Sequence, residues 1–158
     1  MNLDMQVQVR VGEKAYDGTI KEVLQINEAT LTDEFIRQPS TYAYFAALSE
    51  FAVADVEQKK LSFSVLKANL DGQKRLELAK LGKVTESMVD SAIILDKKYQ
   101  AMFEEVIEAE RQLGILKSLV KALDQRCQML IQLGANKRQE LSLMDFGIDI
   151  NKVKGGNR

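Results

Sequence analysis

The sequence predicts a mainly α protein: a long antiparallel helical hairpin with coiled-coil packing, short terminal β-strands and an oligomeric, ring-like assembly. Three observations predict it. A charge-free series at alternating three- and four-residue steps runs from Met88 to Gly134. The only proline, Pro39, leaves everything after it free to continue as helix. A short loop around Gly82 separates two helical stretches, which favours antiparallel neighbours.

Taken in order, Met5-Gln6-Val7-Gln8-Val9-Arg10-Val11 alternates apolar and polar, and its valines share one face of a half-buried strand ended by Gly12. Short helices are expected over 19–26 and 32–38. The first long helix is expected to start at Pro39, where a missing N–H costs nothing. Its apolar series is Tyr42, Phe45, Ala52, Val56, Phe63, Leu66 and Leu70, with Ser49 and Lys59 in two of the places. It should reach Lys80, roughly 60 Å at 1.5 Å per residue, with Gly72 as a weak point and Gly82 as the stop.

Thr85 can cap the second arm. The seam is Met88, Ala92, Leu95, Tyr99, Met102, Val106, Ala109, Leu113, Leu116, Val120, Leu123, Cys127, Leu130 and Gly134. A seven-residue repeat held this long predicts coiled-coil packing. Asp96 offers a second start, so a short helix followed by a long one is an alternative. Gly134 reads as the C-terminal stop, with Lys137 and Arg138 beyond it. A second apolar line, Phe103, Ile107, Ile115, Leu119, Ile131 and Leu133, calls for a further neighbour. In the tail, Phe146, Ile148 and Ile150 alternate with Gly147 and Asp149 and read as a strand. Residues 5–11 are expected to pair with 143–150, within or between subunits. Val7, Val9, Val11, Phe103, Ile107, Ile115, Leu119, Phe146, Ile148 and Ile150 are then the expected oligomer interface. The divisions are 1–38 (strand and short helices), 39–135 (hairpin) and 136–158 (tail).

The composition, 46% hydrophobic and 28% charged over 158 residues, suits one folded domain and excludes wholesale disorder. The first six residues show neither a basic n-region nor an apolar h-region, and no apolar run approaches the ~20 residues of a membrane span. The lone Cys127 cannot form an intramolecular disulfide. A cytoplasmic protein without membrane contact is expected.

The residues point to no catalytic constellation. The chain has no histidine, so the commonest base and metal ligand are missing. Gly82-Lys83-Val84-Thr85 lacks the Ser or Thr directly after Lys, and the upstream glycine, that a phosphate loop needs. Asp145, Gly147 and Asp149 are too sparse for a calcium loop. Cys127 on the seam reads as a small buried apolar residue. Glu104, Glu105, Glu108 and Glu110 read as a solvated face. No catalytic residue, metal site or cofactor is expected.

Charge carries the best functional signal. The net charge is −1, but its distribution is uneven. Residues 1–50 hold four basic and eight acidic side chains. Residues 59–83 hold seven basic (Lys59, Lys60, Lys67, Lys74, Arg75, Lys80 and Lys83) and two acidic. Residues 111–138 hold six basic and one acidic. Seven-residue spacing places Lys60, Lys67, Lys74 and Lys80 or Lys83 near one helical face, a ridge that can track phosphates. Tyr42, Tyr44, Phe45 and Phe63 are candidates for base stacking, although aromatics at this spacing are more often core.

Gln58-Lys59-Lys60 with Leu66-Lys67-Ala68-Asn69-Leu70-Asp71, a loop, and Ile94-Leu95-Asp96 opening a long helix together resemble the UvsY-type recombination mediator proteins of tailed phages. The resemblance covers roughly residues 39–135. It implies a small helical protein that is not an enzyme, forms rings, binds single-stranded DNA and helps load a RecA-like recombinase onto DNA coated with single-strand-binding protein. In the family motif Lys-Ala-Arg-Leu-Asp the basic pair contributes to DNA binding. Lys67 matches its first member, Asn69 stands in place of the arginine, and Lys74 and Arg75 follow as substitutes. For a phage protein the compartment would be the host cytoplasm. The alternative is a structural or adaptor coiled-coil protein that never meets nucleic acid.

Overall fold

A computed structural model describes the backbone of residues 5–155 and the side chains up to residue 144. The chain opens with β1 (Gln6–Val11) and β2 (Lys14–Thr19), then a one-turn helix α1 (Ile20–Leu24). Two long helices follow, α2 (Leu31–Ala79) and α4 (Lys97–Gly155), with the short α3 (Glu86–Ile94) between them.

β1 forms as expected, with Val7, Val9 and Val11 buried and the residues between them exposed. Its partner is not the tail. β1 pairs antiparallel with β2, Val7 opposite Gly18 and Val9 opposite Tyr16. The two-residue turn Gly12-Glu13 makes this possible, because Gly12 sits at φ +59°, a conformation that costs other residues about 1–2 kcal/mol. Residues 143–150 belong to α4 and are helical. The expected tail strand is therefore overturned, and with it the strand pairing.

The ribbon lies on the helices through several ties. Its three valines join Val23, Phe45, Leu48, Ala52, Leu116, Leu119 and Leu123 in one core. The backbone N–H of Arg10 donates to Gln112 Oε1 of α4 at 3.2 Å. The Lys14 ammonium stands 3.2 Å from the centroid of the Phe51 ring on α2, and Tyr16 meets Phe45 edge-on at 4.9 Å. A ribbon that is marginal alone is thus held by packing.

The expected helix over 19–26 is seen as α1, which Thr19 and Glu22 close with a reciprocal capping box. The second expected short helix is the first part of α2. That helix starts at Leu31, after a 3₁₀ turn capped by Asn27, and not at Pro39. Pro39 stands exposed two turns inside. Water can serve the carbonyl one turn back that its missing N–H leaves free. At 49 residues α2 is about 75 Å long. Gly82, at φ +139°, follows its end as expected.

The second arm is split, as Asp96 suggested. Thr85 caps α3 through Met88 N–H at 3.4 Å, and Asp96 accepts from Lys98 N–H at 2.9 Å at the start of α4. The split resets the helical phase. α3 buries Val89 and Ile93, while Met88 and Leu95 of the expected seam are exposed. From Tyr99 onward the seam holds, and every position from Tyr99 to Gly134 is buried or half-buried. α3 forms a second, smaller core of Val89 and Ile93 against Leu70 of α2.

The two long helices run antiparallel. Contacts from Phe35 to Gly134, Lys60 to Glu110 and Lys74 to Asp96 ascend one helix while descending the other. Gly134 is no stop, since α4 continues to Gly155. A Cβ there would come within 2.9 Å of the Phe35 ring, so the glycine provides a close approach.

One polar cluster is buried in the hairpin. Arg126 of α4 ion-pairs with Glu34 and donates to Gln38 Oε1 and, at 3.2 Å, to the Gln25 carbonyl. Gln38 Nε2 donates to the Leu123 carbonyl at 2.7 Å, and Asn27 N–H to Glu34 Oε1 at 3.2 Å. Arg126 is 8% exposed and Glu34 7%. The cluster fixes the start of α2, and the segment leading into it, against α4.

Candidate nucleic-acid interface

The seven basic residues expected to meet DNA lie on α2 and in the turn after it, and they divide into two groups. Four are occupied by acids. Lys59 pairs with Asp55 one turn back at 3.4 Å. Lys60 reaches across to Glu110 of α4 at 2.9 Å, and that hydrogen bond raises its pKa. Lys74 holds Asp96 at 3.3 Å and Glu77 at 3.4 Å, with its pKa raised chiefly by Asp96. Arg75 grips Asp71 at 2.7 and 3.1 Å and Glu86 at 2.6 and 2.9 Å. Glu86 and then Asp71 raise the pKa of Arg75, and both acids are lowered in turn. Asp96 is lowered first by the Lys98 N–H and then by Lys74.

Lys67, Lys80 and Lys83 form the other group. All three are exposed, and none makes an ion pair among the described residues. Lys80 and Lys83 flank Gly82 in the turn that leaves α2. Lys67 lies thirteen residues earlier, about 20 Å along the helix. Sequence spacing carries no sign of the acids that α3 and α4 bring to these residues.

The aromatic candidates divide as well. Phe45 is buried in the main core and unavailable for stacking. Tyr42 and Tyr44 are exposed, Tyr44 resting edge-on against Phe45. Phe63 meets Tyr99 and Phe103 of α4 in a three-ring cluster.

The residues expected at an oligomer interface are also placed. Val7, Val9, Val11 and Leu119 are covered by the chain's own core, and Ile115 is half-buried against it. Phe103 and Ile107 are exposed. Phe146, Ile148 and Ile150 lie beyond the residues whose side chains are described.

Of the acidic face, Glu108 receives the Arg111 guanidinium at 2.7 Å and the Gln112 amide, which hold its carboxyl down at about 2. Cys127 is half-buried on the seam. Among the described residues no helix is long and apolar enough to cross a membrane, and no group of three potential ligands is placed to hold a metal. The residues that spacing missed are Arg126, Glu34 and Gln38. The steps of three from Leu123 and four to Leu130 put Arg126 beside the seam, and that was the available signal. Neither a family model, nor a curated protein, nor a solved structure matches the chain.

Proposed function

We propose that the chain binds single-stranded DNA as a homo-oligomer, without catalysis. Its role would be that of a phage recombination mediator, helping a RecA-like recombinase load onto DNA coated with single-strand-binding protein in the host cytoplasm. The mediator role rests on the resemblance of residues 39–135. The supporting observation for DNA binding is the set of exposed ammonium groups at Lys67, Lys80 and Lys83, none of them in an ion pair among the described residues. Three phosphate contacts per subunit are weak alone, but repeated around an assembly they act together at high effective concentration. Avidity of this kind lets a protein of net charge −1 hold a polyanion.

Fluorescence anisotropy with labelled oligo(dT) tests the reading. Three neutralised phosphates give a slope of about −2 in log K against log salt for each subunit engaged. Changing Lys67, Lys80 and Lys83 together to Ala should remove most of this slope. The same change at Lys59, Lys60, Lys74 and Arg75 should affect it less, since those cations already face acids. Unaltered affinity in the triple variant refutes the assignment.

A second reading, a structural or adaptor coiled coil, is favoured by two observations. Four of the seven basic residues are ion-paired within the chain. Leu61, Val65 and Leu76 stand exposed on α2. That reading predicts an oligomer that leaves oligo(dT) unbound even at low salt.

A further inference from the structure

On one face of the hairpin two ion pairs tie α2 to α4, Lys60 to Glu110 and Lys74 to Asp96. Between them lies the ring cluster. Phe63 stands 4.9 Å from Tyr99 and 5.7 Å from Phe103, and the planes of Tyr99 and Phe103 lie within 11° of parallel at 6.4 Å. These rings are not closed off. Phe103 is 46% exposed, and Ile107, one turn on, is 50% exposed. Lys67 lies one turn beyond Phe63 on the same side of α2, exposed and without an ion pair among the described residues, its charge acting on Asp71 one turn further on. Three acids near this face are held by cations. Lys60 holds Glu110, Lys74 holds Asp96, and Arg75 holds Asp71, the residue one turn from Lys67.

We propose that Phe103 and Tyr99, with Phe63 behind them and Lys67 beside them, form a stacking platform for the bases of single-stranded DNA. The inference rests on the DNA-binding reading above and assigns it a base-contacting site. An open ring beside an exposed cation matches a single strand, which offers a π-face and a phosphate from the same nucleotide. The site is sequence-tolerant, since every base has a face to stack. It also gives Phe103 a role other than the oligomer contact expected from its position in the second apolar line.

The chain contains no tryptophan, so Phe103→Trp places a single reporter on the platform. Its emission should be quenched on titration with oligo(dT), and not with an oligomer of abasic sites of equal length and charge. In anisotropy, Phe103→Ala should weaken oligo(dT) binding about ten- to one-hundredfold, the range for losing one stacked base. It should leave binding to the abasic oligomer unchanged, whereas Lys67→Ala weakens both. Unquenched tryptophan together with equal affinity of Phe103→Ala and the parent for oligo(dT) overturns the platform while DNA binding stands. No binding of either oligomer by the parent overturns both. A lower sedimenting mass for Phe103→Ala without DNA gives the face to a second copy and also overturns the platform.

Discussion

Removing the Glu34 carboxylate is the most severe test of how the hairpin is closed. Glu34→Ala leaves the Arg126 guanidinium buried with only Gln38 Oε1 and the Gln25 carbonyl to face it. The Arg126 Nε already lacks a partner. The Asn27 N–H loses its acceptor as well. Both charged groups are more than nine-tenths covered, so the cost is that of an orphaned buried charge, about 3–5 kcal/mol. Replacing both partners with apolar residues of similar size, Glu34→Leu with Arg126→Met, removes the charge instead of stranding it and should cost within about 1 kcal/mol. The double variant should therefore be more stable than either single one, a coupling of about 3 kcal/mol or more. Guanidinium chloride unfolding followed by circular dichroism at 222 nm, at one fixed protein concentration, measures Glu34→Ala and the four species of the Glu34→Leu, Arg126→Met cycle. A loss under about 1 kcal/mol for Glu34→Ala would mean that water reaches the pair, and the description of a buried clamp would be refuted.

Other perturbations probe other parts. Leu123→Ala, at a fully buried seam position, should lower unfolding stability by about 2–5 kcal/mol in the same assay, and a near-neutral result would deny the seam. Gly72→Ala and Gly114→Ala lie inside helices with nothing within 4 Å of the new Cβ, so each should raise stability by about 0.5–1 kcal/mol; a loss would reveal an unseen neighbour. Gly12→Ala forces a side chain to φ +59° and should cost about 1 kcal/mol or more, read from the thermal midpoint. Glu108 carries a pH dependence. Its carboxyl falls from an ordinary 4.5 to about 2 in the folded chain, so it contributes stability above pH 4.5 that is lost as pH drops toward 2. Thermal midpoints from pH 5 to 2 should fall less steeply for Glu108→Gln than for the parent, and parallel curves would count against the Arg111 and Gln112 contacts.

The parts of the fold legible in the sequence were those where burial and period coincide. Val7, Val9 and Val11 alternate because one face of β1 is covered, and the α4 seam is free of charge because α2 covers it. β2 lacks such a pattern: Lys14-Ala15-Tyr16-Asp17-Gly18-Thr19 is only half-buried, and its sole signal was the two-residue turn before it. The start of α2 was hidden by Pro39, which an exposed helix face tolerates. The tail misled because Phe146, Ile148 and Ile150 fit a period of two, while Leu141, Met144 and Ile148 equally continue the three-four series of α4. Arg126 was not legible as a buried residue, since a charge beside a seam reads as solvated until Glu34 and Gln38 are brought to it. For the same reason seven basic residues read as one ridge. Only the fold places Glu110, Asp96 and Glu86 against three of them and leaves Lys67, Lys80 and Lys83 open.

The central claim is that copies of this chain together hold a single strand of DNA. Sedimentation velocity of the protein mixed with fluorescently labelled oligo(dT) at low salt tests it most directly. The account predicts that the label moves with a species whose protein mass is a multiple of 17.8 kDa, and that added salt releases it. Protein sedimenting as a 17.8 kDa monomer at micromolar concentration, with the label left free, would contradict it.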